Sequence, residues 1–499
     1  MKTKYLIGVD IGTQGTKVVL FSEDGKNIME TFVGSKLIYL DDGGIEQDPE
    51  SIYQSVVIGI RKVIEHTNIN PEDIYAVGMD GQMAGIMGID EDFNPVGNYD
   101  SWLDNRCEVC MDYIRSYGED KVIEITGAPI SYAHGPKIIW RKNTRPNEYK
   151  RIKKFIMLTT YIAGRLVNMK WQDAYIDYTY LHFSGFADVN KKQWSTELLD
   201  YFNVDIEKMP RICNPWDIVG EVTEEGSKDS MLAVGTKIIA GCGDTAATIL
   251  GAGCTKPSIA VDIAGTASVF ACCTNNYLPD TKNKTLIHAR SIIDGLWTPL
   301  AYVGGGGQCL AWFKNSVINQ VGLSFDDLNQ EASKVSAGSD GLIFVPHFSG
   351  RTCPNNPKVR GSWLHMSWSH TRGHMFRSIM ESIGYEYKFY TNTLKELSNE
   401  FNLTTIYGVG GGAKSILFNE IKASMLNCNY MPMDRPDSAT LACAVMAGYG
   451  IGLYSNIENT IHRFVSTKDT ITNNKEDNKI YEHQYNRYIN NIKALENIY

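Results

Sequence analysis

The chain has 499 residues, 43% of them hydrophobic and 21% charged, with a net charge of −9. That length suits two to four domains with sizeable cores, and an acidic balance without a basic patch disfavours a nucleic-acid polymer as partner. No run reaches the roughly 18 apolar residues of a membrane span, no signal-peptide layout stands at the N-terminus, and eleven scattered cysteines fit reduced thiols in the cytoplasm.

Residues 5–20, YLIGVDIGTQGTKVVL, predict a strand, a Gly/Thr-rich turn and a second strand. One acid, Asp10, stands inside the apolar run, which is costly unless it has a partner. The following loop (Gly12, Thr13, Gln14, Gly15, Thr16, Lys17) combines backbone N–H groups, hydroxyls and a Lys, a set able to hold phosphate. Acid and loop together point to a magnesium–nucleotide corner with Asp10 at the metal; the alternative is a strand-end acid paired with a Lys. The meander continues to residue 40, turning at Asp24-Gly25. Residues 50–66 have helical periodicity, with Ile52, Val56, Ile60 and Val63 on one face and Pro49 just before. A short buried strand over 74–79 leads into Asp80-Gly81-Gln82-Met83-Ala84-Gly85. Strand and helix alternate to about residue 240, where GTKIIAGCGD (235–244) reads as strand and tight turn before a helix from Thr245.

Residues 258–273, SIAVDIAGTASVFACC, repeat the first motif, with Asp262 in the apolar run and Gly265-Thr266 in the turn. Two related hairpins indicate a duplicated domain, and the boundary falls near 251–257, giving an N-terminal domain over 1–251 and a C-terminal domain over 252–499. The second half carries helices over 374–397 and 414–427. GVGGGA (408–413) lies between a short strand and the second of these, and VGGGGQ at 303–308 reads as simple loop chemistry. Ile480, Tyr481, Tyr485, Tyr488, Ile492 and Leu495 recur at helical spacing and predict a terminal helix docked on the body. A solvated connection from Ser466 precedes it.

Several residue sets could carry chemistry. Asp244, between a strand and a helix, reads equally as an N-cap or as a general base at the carboxyl end of a strand, where open α/β sheets bind ligands. The glycines of 408–413 permit close backbone approach to a ligand or simply make a tight turn. Trp102, Asp104 and Arg106 in SWLDNRC join an aromatic face to an acid and a base, as polyhydroxylated ligands require; the alternative is a structural Asp–Arg pair with a core Trp. His134, His347, His365 and His374 show no HxxxH or HExxH spacing and read as structural. Cys107 and Cys110 form a lone CxxC, read as helix-face thiols.

Taken in order, these motifs resemble the FGGY family of carbohydrate kinases over nearly the full length, most closely its xylulokinase branch. The match rests on the first hairpin, EQDPE (46–50), DGQMAG (80–85), SWLDNRC, YAHGPKIIW (132–140), GCGDTAA, the 265–268 loop, FSGRTCPNNP (348–357), a helix with Arg377, Glu381, Gly384 and Tyr385, and GVGGGA. The resemblance implies an α/β fold of two actin/hexokinase-like (ribonuclease H-like) domains with a central cleft, closing on ATP and a sugar. It implies Asp244 as general base and Asp10 placing Mg2+ and phosphates. Gly12, Thr13, Gln14, Thr16, Lys17, Gly265 and Thr266 would form the phosphate loops, with Gly410, Gly411 and Gly412 on the adenosine side. Gln82, Met83, Trp102, Asp104, Arg106 and Tyr132 would meet the sugar. Ala84 stands where xylulokinases commonly have His, and Gly350 where they tend to have Glu. These departures loosen the assignment to D-xylulose: a pentulose such as D-xylulose is the expected sugar, with ribulose, glycerol and gluconate as alternatives.

The expected activity is transfer of the ATP γ-phosphate to a terminal hydroxyl of a small ketose, with Asp244 taking the proton. A homodimer fits general symmetry preferences. An actin-like nucleotide switch shares the nucleotide core but has no need of the sugar-side residues, and a sugar-sensing relative without activity is disfavoured by the presence of both aspartates.

Overall fold

The computed structural model describes residues 3–498. The chain forms two compact α/β units. One comprises the chain up to Gly253 with Ala289–Leu296 and Asp437–Val465; the other comprises Cys254–His288, Trp297–Pro436 and the chain from Ser466. A single division at 251/252 thus omits two later segments that pack with the first unit. In chain order the main elements are β1 (Tyr5–Ile11), β2 (Gly15–Ser22), β3 (Asn27–Gly34), α1 (Pro49–Thr67), β4 (Ile74–Gly81), β5 (Ile218–Glu221), β6 (Lys237–Ile239), β7 (Cys242–Gly243) and α2 (Asp244–Gly251). They continue with β8 (Ile259–Ala264), β9 (Ser268–Cys272), β10 (Trp297–Val303), α3 (Arg372–Leu397), β11 (Thr405–Val409), α4 (Ile416–Leu426), β12 (Asn429–Pro432), α5 (Ser438–Gly450) and α6 (Lys475–Glu496).

In the first unit the sheet order is β5-β6-β4-β1-β2-β3, with β7 also pairing β4. β4 is parallel to β1, β6 and β7, while β1–β2 and β2–β3 are antiparallel. The meander stops at β3: Ile38–Tyr39 pairs with Ile45–Gln47 in a separate sheet. Both faces of the main sheet are covered, so its strands are near-continuous apolar runs. Ile7, Val9 and Ile11 pack with Val56, Ile60 and Val63 of α1, whereas Leu6 joins Leu441, Val445 and Met446 of α5. Each such buried aliphatic contributes about 1.5–3 kcal/mol. α1 starts where Asp48 accepts the N–H groups of Glu50 and Ser51, with Pro49 in the first turn. α5 lies so close to the sheet that a Cβ on Gly8 would sit 1.9 Å from the Thr440 carbonyl oxygen, and one on Gly78 2.2 Å from that of Cys443. Glycine is what lets the helix reach the strands there.

In the second unit the strands run β10-β9-β8-β11-β12. β8 is antiparallel to β9 and parallel to β11, the same arrangement that β1 has with β2 and β4. The duplication legible in the two hairpins thus extends to the neighbouring parallel strand. α6 buries Tyr481, Tyr488, Ile492 and Leu495 in this unit's core, while Ile480 remains exposed. The segment after Ser466 is not a bare solvated connection. Thr467 bridges Met433 and Ile471 bridges Tyr430, covering the sheet edge, and α6 already begins at Lys475. α4 starts at Ile416 rather than at 414, because Gly412–Lys414 forms a 3₁₀ turn and Ser415 caps the helix. All eleven cysteines are buried and free, Cys107 and Cys110 on a 3₁₀ turn among them. No helix among the described residues is long and apolar enough to cross a membrane.

Candidate active site

Asp10, Asp80 and Asp244 stand at the carboxyl ends of parallel strands in the first unit. Asp10 on β1 is in register with Asp80 on β4, and Asp80 with Cys242 on β7, two residues before Asp244. Across the hairpin Asp10 pairs with Lys17. Such a strand end is where open α/β sheets take ligands. The turn bearing Asp244 is held from several sides. The Thr179 hydroxyl accepts Gly243 N–H at 2.9 Å, and Tyr180 donates to the carbonyls of Gly81 and Cys242. Gly241, with φ of 80°, passes close over Met79.

The electrostatics separate the three acids. Burial raises the Asp10 carboxyl, opposed by its hydrogen bond with Asp80 and the charge of Lys17. Asp80 is wholly buried; its Oδ2 accepts from the Cys443 thiol at 3.1 Å and its Oδ1 meets no donor among the described residues. Burial, then the nearby charges of Asp10, Cys242 and Asp244, push it well above the carboxylate range. Two adjoining carboxylates cannot both ionise cheaply, and the pair favours a proton on Asp80. Asp244 is pushed up to about 7 by burial and then by Asp10. Its Oδ1 accepts from the Thr245 N–H at 2.6 Å and hydroxyl at 3.1 Å. It is not the helix cap: α2 begins at Asp244 itself, after Gly243, with no side-chain cap. A half-buried carboxyl with a value near neutrality suits proton transfer.

The loop between β1 and β2 closes through Gly12 N–H to the Gly15 carbonyl at 3.0 Å. Thr13 donates to Gln82 Oε1 at 3.2 Å and accepts the Trp102 indole N–H at 2.9 Å. Gln14 is exposed, its carbonyl taken by Ser35 N–H. Thr16 does not present its hydroxyl in the loop: it is 1% exposed and hydrogen-bonded to Ser55 of α1 at 2.6 Å. Lys17 is ion-paired to Glu30. Met83 packs against Gly243, beside Asp244, and Ala84 has φ of 60°.

Asp104 and Arg106 take the structural alternative. Arg106 is buried and meets Asp42, Glu46 and Asp104 at 3.1, 2.7 and 2.6 Å, and Asp104 is 3% exposed. Opposite charges out of water are tolerated only when so paired, which leaves neither side chain free to bind a sugar hydroxyl. Glu46, Asp100 and Asp104 come within metal-binding distance of one another, but Arg106 and Arg141 already neutralise them. Trp102, by contrast, is no core residue: 45% of it is exposed. Tyr132 is partly exposed and donates to Glu108 at 3.3 Å.

In the second unit Asp262 answers Asp10 in sequence but not in state. It is fully buried, paired to Lys422, and accepts from Tyr387 at 2.6 Å and Tyr430 at 2.7 Å. Gly265 and Thr266 form the turn of that hairpin, and their carbonyls accept Gly307 and Gln308 N–H at 3.0 Å. The 304–307 run is therefore more than a loop: it props the turn. Gly410, with φ of 89°, and Gly412 lie against Ala264, while Gly411 faces open space. Gly350 also has positive φ, 95°, and a Cβ there would crowd Pro357. Sequence reasoning assigned no role to Asp80, Cys443, Gln47 or Lys422; Asp80, which closes an apolar strand just as Asp10 does, was the one with a visible signal. His370 and His374 do form an HxxxH pair, but it is structural. Their rings lie 5.3 Å apart, and His374 accepts Thr371 N–H at the start of α3 and meets Asp340 at 3.0 Å.

The model for the FGGY family of carbohydrate kinases, N-terminal domain, matches residues 5–251, and that for the C-terminal domain matches 261–451. A xylulose kinase of Bacillus subtilis (strain 168) is 25% identical over 465 residues, spanning 93% of this chain and 91% of that protein. A gluconokinase of the same organism is 27% identical over 510 residues, spanning 100% and 97%. Solved structures of a gluconate kinase and a ligand-bound xylulose kinase, both from Lactobacillus acidophilus, match with a TM-score of 0.92 at 24% identity, covering 99% of this chain and 99% and 98% of theirs; they share its fold. With family models spanning both halves, the chain belongs to the FGGY family of carbohydrate kinases and is an ATP-dependent sugar kinase.

Proposed function

We propose that the acceptor is a small neutral ketose, a pentulose such as D-xylulose, phosphorylated on a terminal hydroxyl with Asp244 as general base. The observation that carries this is Asp244 itself: a half-buried carboxyl poised at about 7 at a strand's carboxyl end. It takes the proton as the hydroxyl oxygen attacks the γ-phosphorus, so that positioning and electrostatics supply most of the acceleration. Met83, Trp102 and Tyr132 are assigned to the sugar, whereas Gln82 is buried with its amide oxygen taken by Thr13 and its amide nitrogen by Gln47. The 12–15 loop of the N-terminal domain (1–251) is assigned to phosphate, and Gly265, Thr266 and Gly410–Gly412 of the C-terminal domain (252–499) to the nucleotide. Asp10 offers the hard oxygen that Mg2+ prefers, with most positions left to water and phosphate; the ion, when bound, supplies charge neutralisation at the phosphate oxygens. Eleven free, buried thiols support a reducing, cytoplasmic setting.

The relatives carry both neutral-sugar and sugar-acid names. A neutral acceptor is favoured here because Arg106, the one guanidinium among the expected sugar-side residues, is already matched to Asp42, Glu46 and Asp104. A sugar carboxylate would find it committed. Initial rates with MgATP across ketopentoses, ketohexoses, polyols and sugar acids test the proposal. A pentulose should lead by kcat/KM, and Asp244→Asn should lower its turnover by about 10²–10⁴. Gluconate leading the panel, or near-normal turnover in Asp244→Asn, would refute it.

A further inference from the structure

Around Thr13 the hydrogen bonds form a ring with one direction. The Thr13 hydroxyl donates to Gln82 Oε1 at 3.2 Å, Gln82 Nε2 to Gln47 Oε1 at 2.8 Å, and Gln47 Nε2 back to the Thr13 carbonyl at 3.2 Å. Ser35 reinforces the same carbonyl at 3.3 Å. Gln47 and Gln82 are buried, so water cannot replace a lost partner. Into this ring one further donor enters, the Trp102 indole N–H on the Thr13 oxygen at 2.9 Å. The ring system of Trp102 stays substantially exposed while its single polar atom is spent inside. A threonine hydroxyl has one proton. Because Trp102 occupies it as an acceptor, that proton is directed to Gln82 and is not offered to an anion.

We infer that Trp102 is a positioning residue for the 12–15 loop: its indole N–H holds the Thr13 hydroxyl turned toward Gln82, coupling the surface assigned to the sugar to the loop assigned to phosphate. The inference rests on the kinase reading above. In the absence of acceptor the relay withholds one donor from the triphosphate, which restrains transfer to water. A sugar that settles against the exposed indole changes the geometry at Thr13 and releases the donor. Fixed networks of this kind act together rather than as independent bonds.

The test uses the full-length enzyme without sugar. Trp102→Phe keeps an aromatic face and removes the N–H. It should bind MgATP about fivefold more tightly in titration calorimetry, the factor that one neutral hydrogen bond supplies, and hydrolyse ATP faster in proportion. In a Thr13→Val background the same substitution should change neither quantity. As a check free of substitution at the tested residue, and with acceptor present, the Trp102 indole N–H resonance of the wild-type protein, assigned by its loss in Trp102→Phe, should move when the leading sugar of the rate panel is added. An unmoved or weakened MgATP affinity, an equal shift in the Thr13→Val background, or an unmoved resonance would each overturn the relay. Wild-type enzyme showing no acceptor-stimulated ATP consumption with any sugar class would instead sink the kinase reading, so the two failures are told apart.

Discussion

Asp244, the proposed base, should cost the fold stability, and the cost should depend on pH. Its carboxyl has an ordinary value of 3.8 and sits at about 7 in the folded chain. Between those values the folded protein retains a proton that the unfolded chain has lost. Stability therefore falls as pH rises from about 4 to about 7 and is level above that. At 1.36 kcal/mol for each tenfold change in proton affinity, the full difference is about 4 kcal/mol; relaxation and water at a half-buried site reduce it to about 2 kcal/mol. Asp244→Asn keeps the shape and cannot ionise. Urea unfolding of wild type and variant from pH 4 to 8.5 should give curves that meet near pH 4 and separate by about 2 kcal/mol at pH 8, with the inactive variant the more stable. Asp10 and Asp80 titrate in both proteins, and because Asp10 and Asp80 interact with the charge at 244 the difference reports residue 244 together with that coupling. Parallel stability curves across that range would show that Asp244 is solvated like a surface acid, and the argument for a general base tuned by burial would fall with it.

Other consequences are more local. Lys422→Met leaves Asp262 buried without its cation and should cost about 3–5 kcal/mol in urea unfolding, most of it recovered by adding Asp262→Asn; equal losses in single and double variants would contradict the pairing. Glu386 is held down to about 2, against 4.5 ordinarily, because Arg351 and His347 outweigh its burial, with Tyr488 donating at 2.7 Å. It therefore stabilises the fold above pH 4.5 and loses that effect as pH falls toward 2. Arg351→Met should flatten this acid limb in a pH series of thermal melts. Gly8→Ala drives a methyl into the α5 backbone and should destabilise the protein by about 1–3 kcal/mol or more, with retained melting temperature counting against the packing described. Thr16→Val, whose hydroxyl serves α1 rather than phosphate, should leave KM for MgATP within about twofold while lowering stability by about 1 kcal/mol; a tenfold rise in KM would return Thr16 to the phosphate loop.

Local pattern was enough for the first hairpin, for α1 with its single apolar face, for the terminal helix from its Tyr/Ile stripe, and for Asp10 as an acid in unusual surroundings, while Asp244 stayed open between helix cap and base until the motifs were taken together. These follow from periodicity and from the cost of a carboxylate in an apolar run. What periodicity cannot state is which strand lies beside which. Asp80 joins the site only because β4 lies between β1 and β7. Arg106 leaves the sugar's reach only because Asp42 and Glu46, some sixty residues earlier, return to meet it. Thr13 acquires its partners from residues 47, 82 and 102, and α5 covers the first unit's sheet although it follows nearly all of the second unit in the chain. Local patterning set the character of each element from its own residues. The ionisation and hydrogen-bonding state of each site residue was decided by tertiary neighbours, because burial and charge act through space and not along the chain.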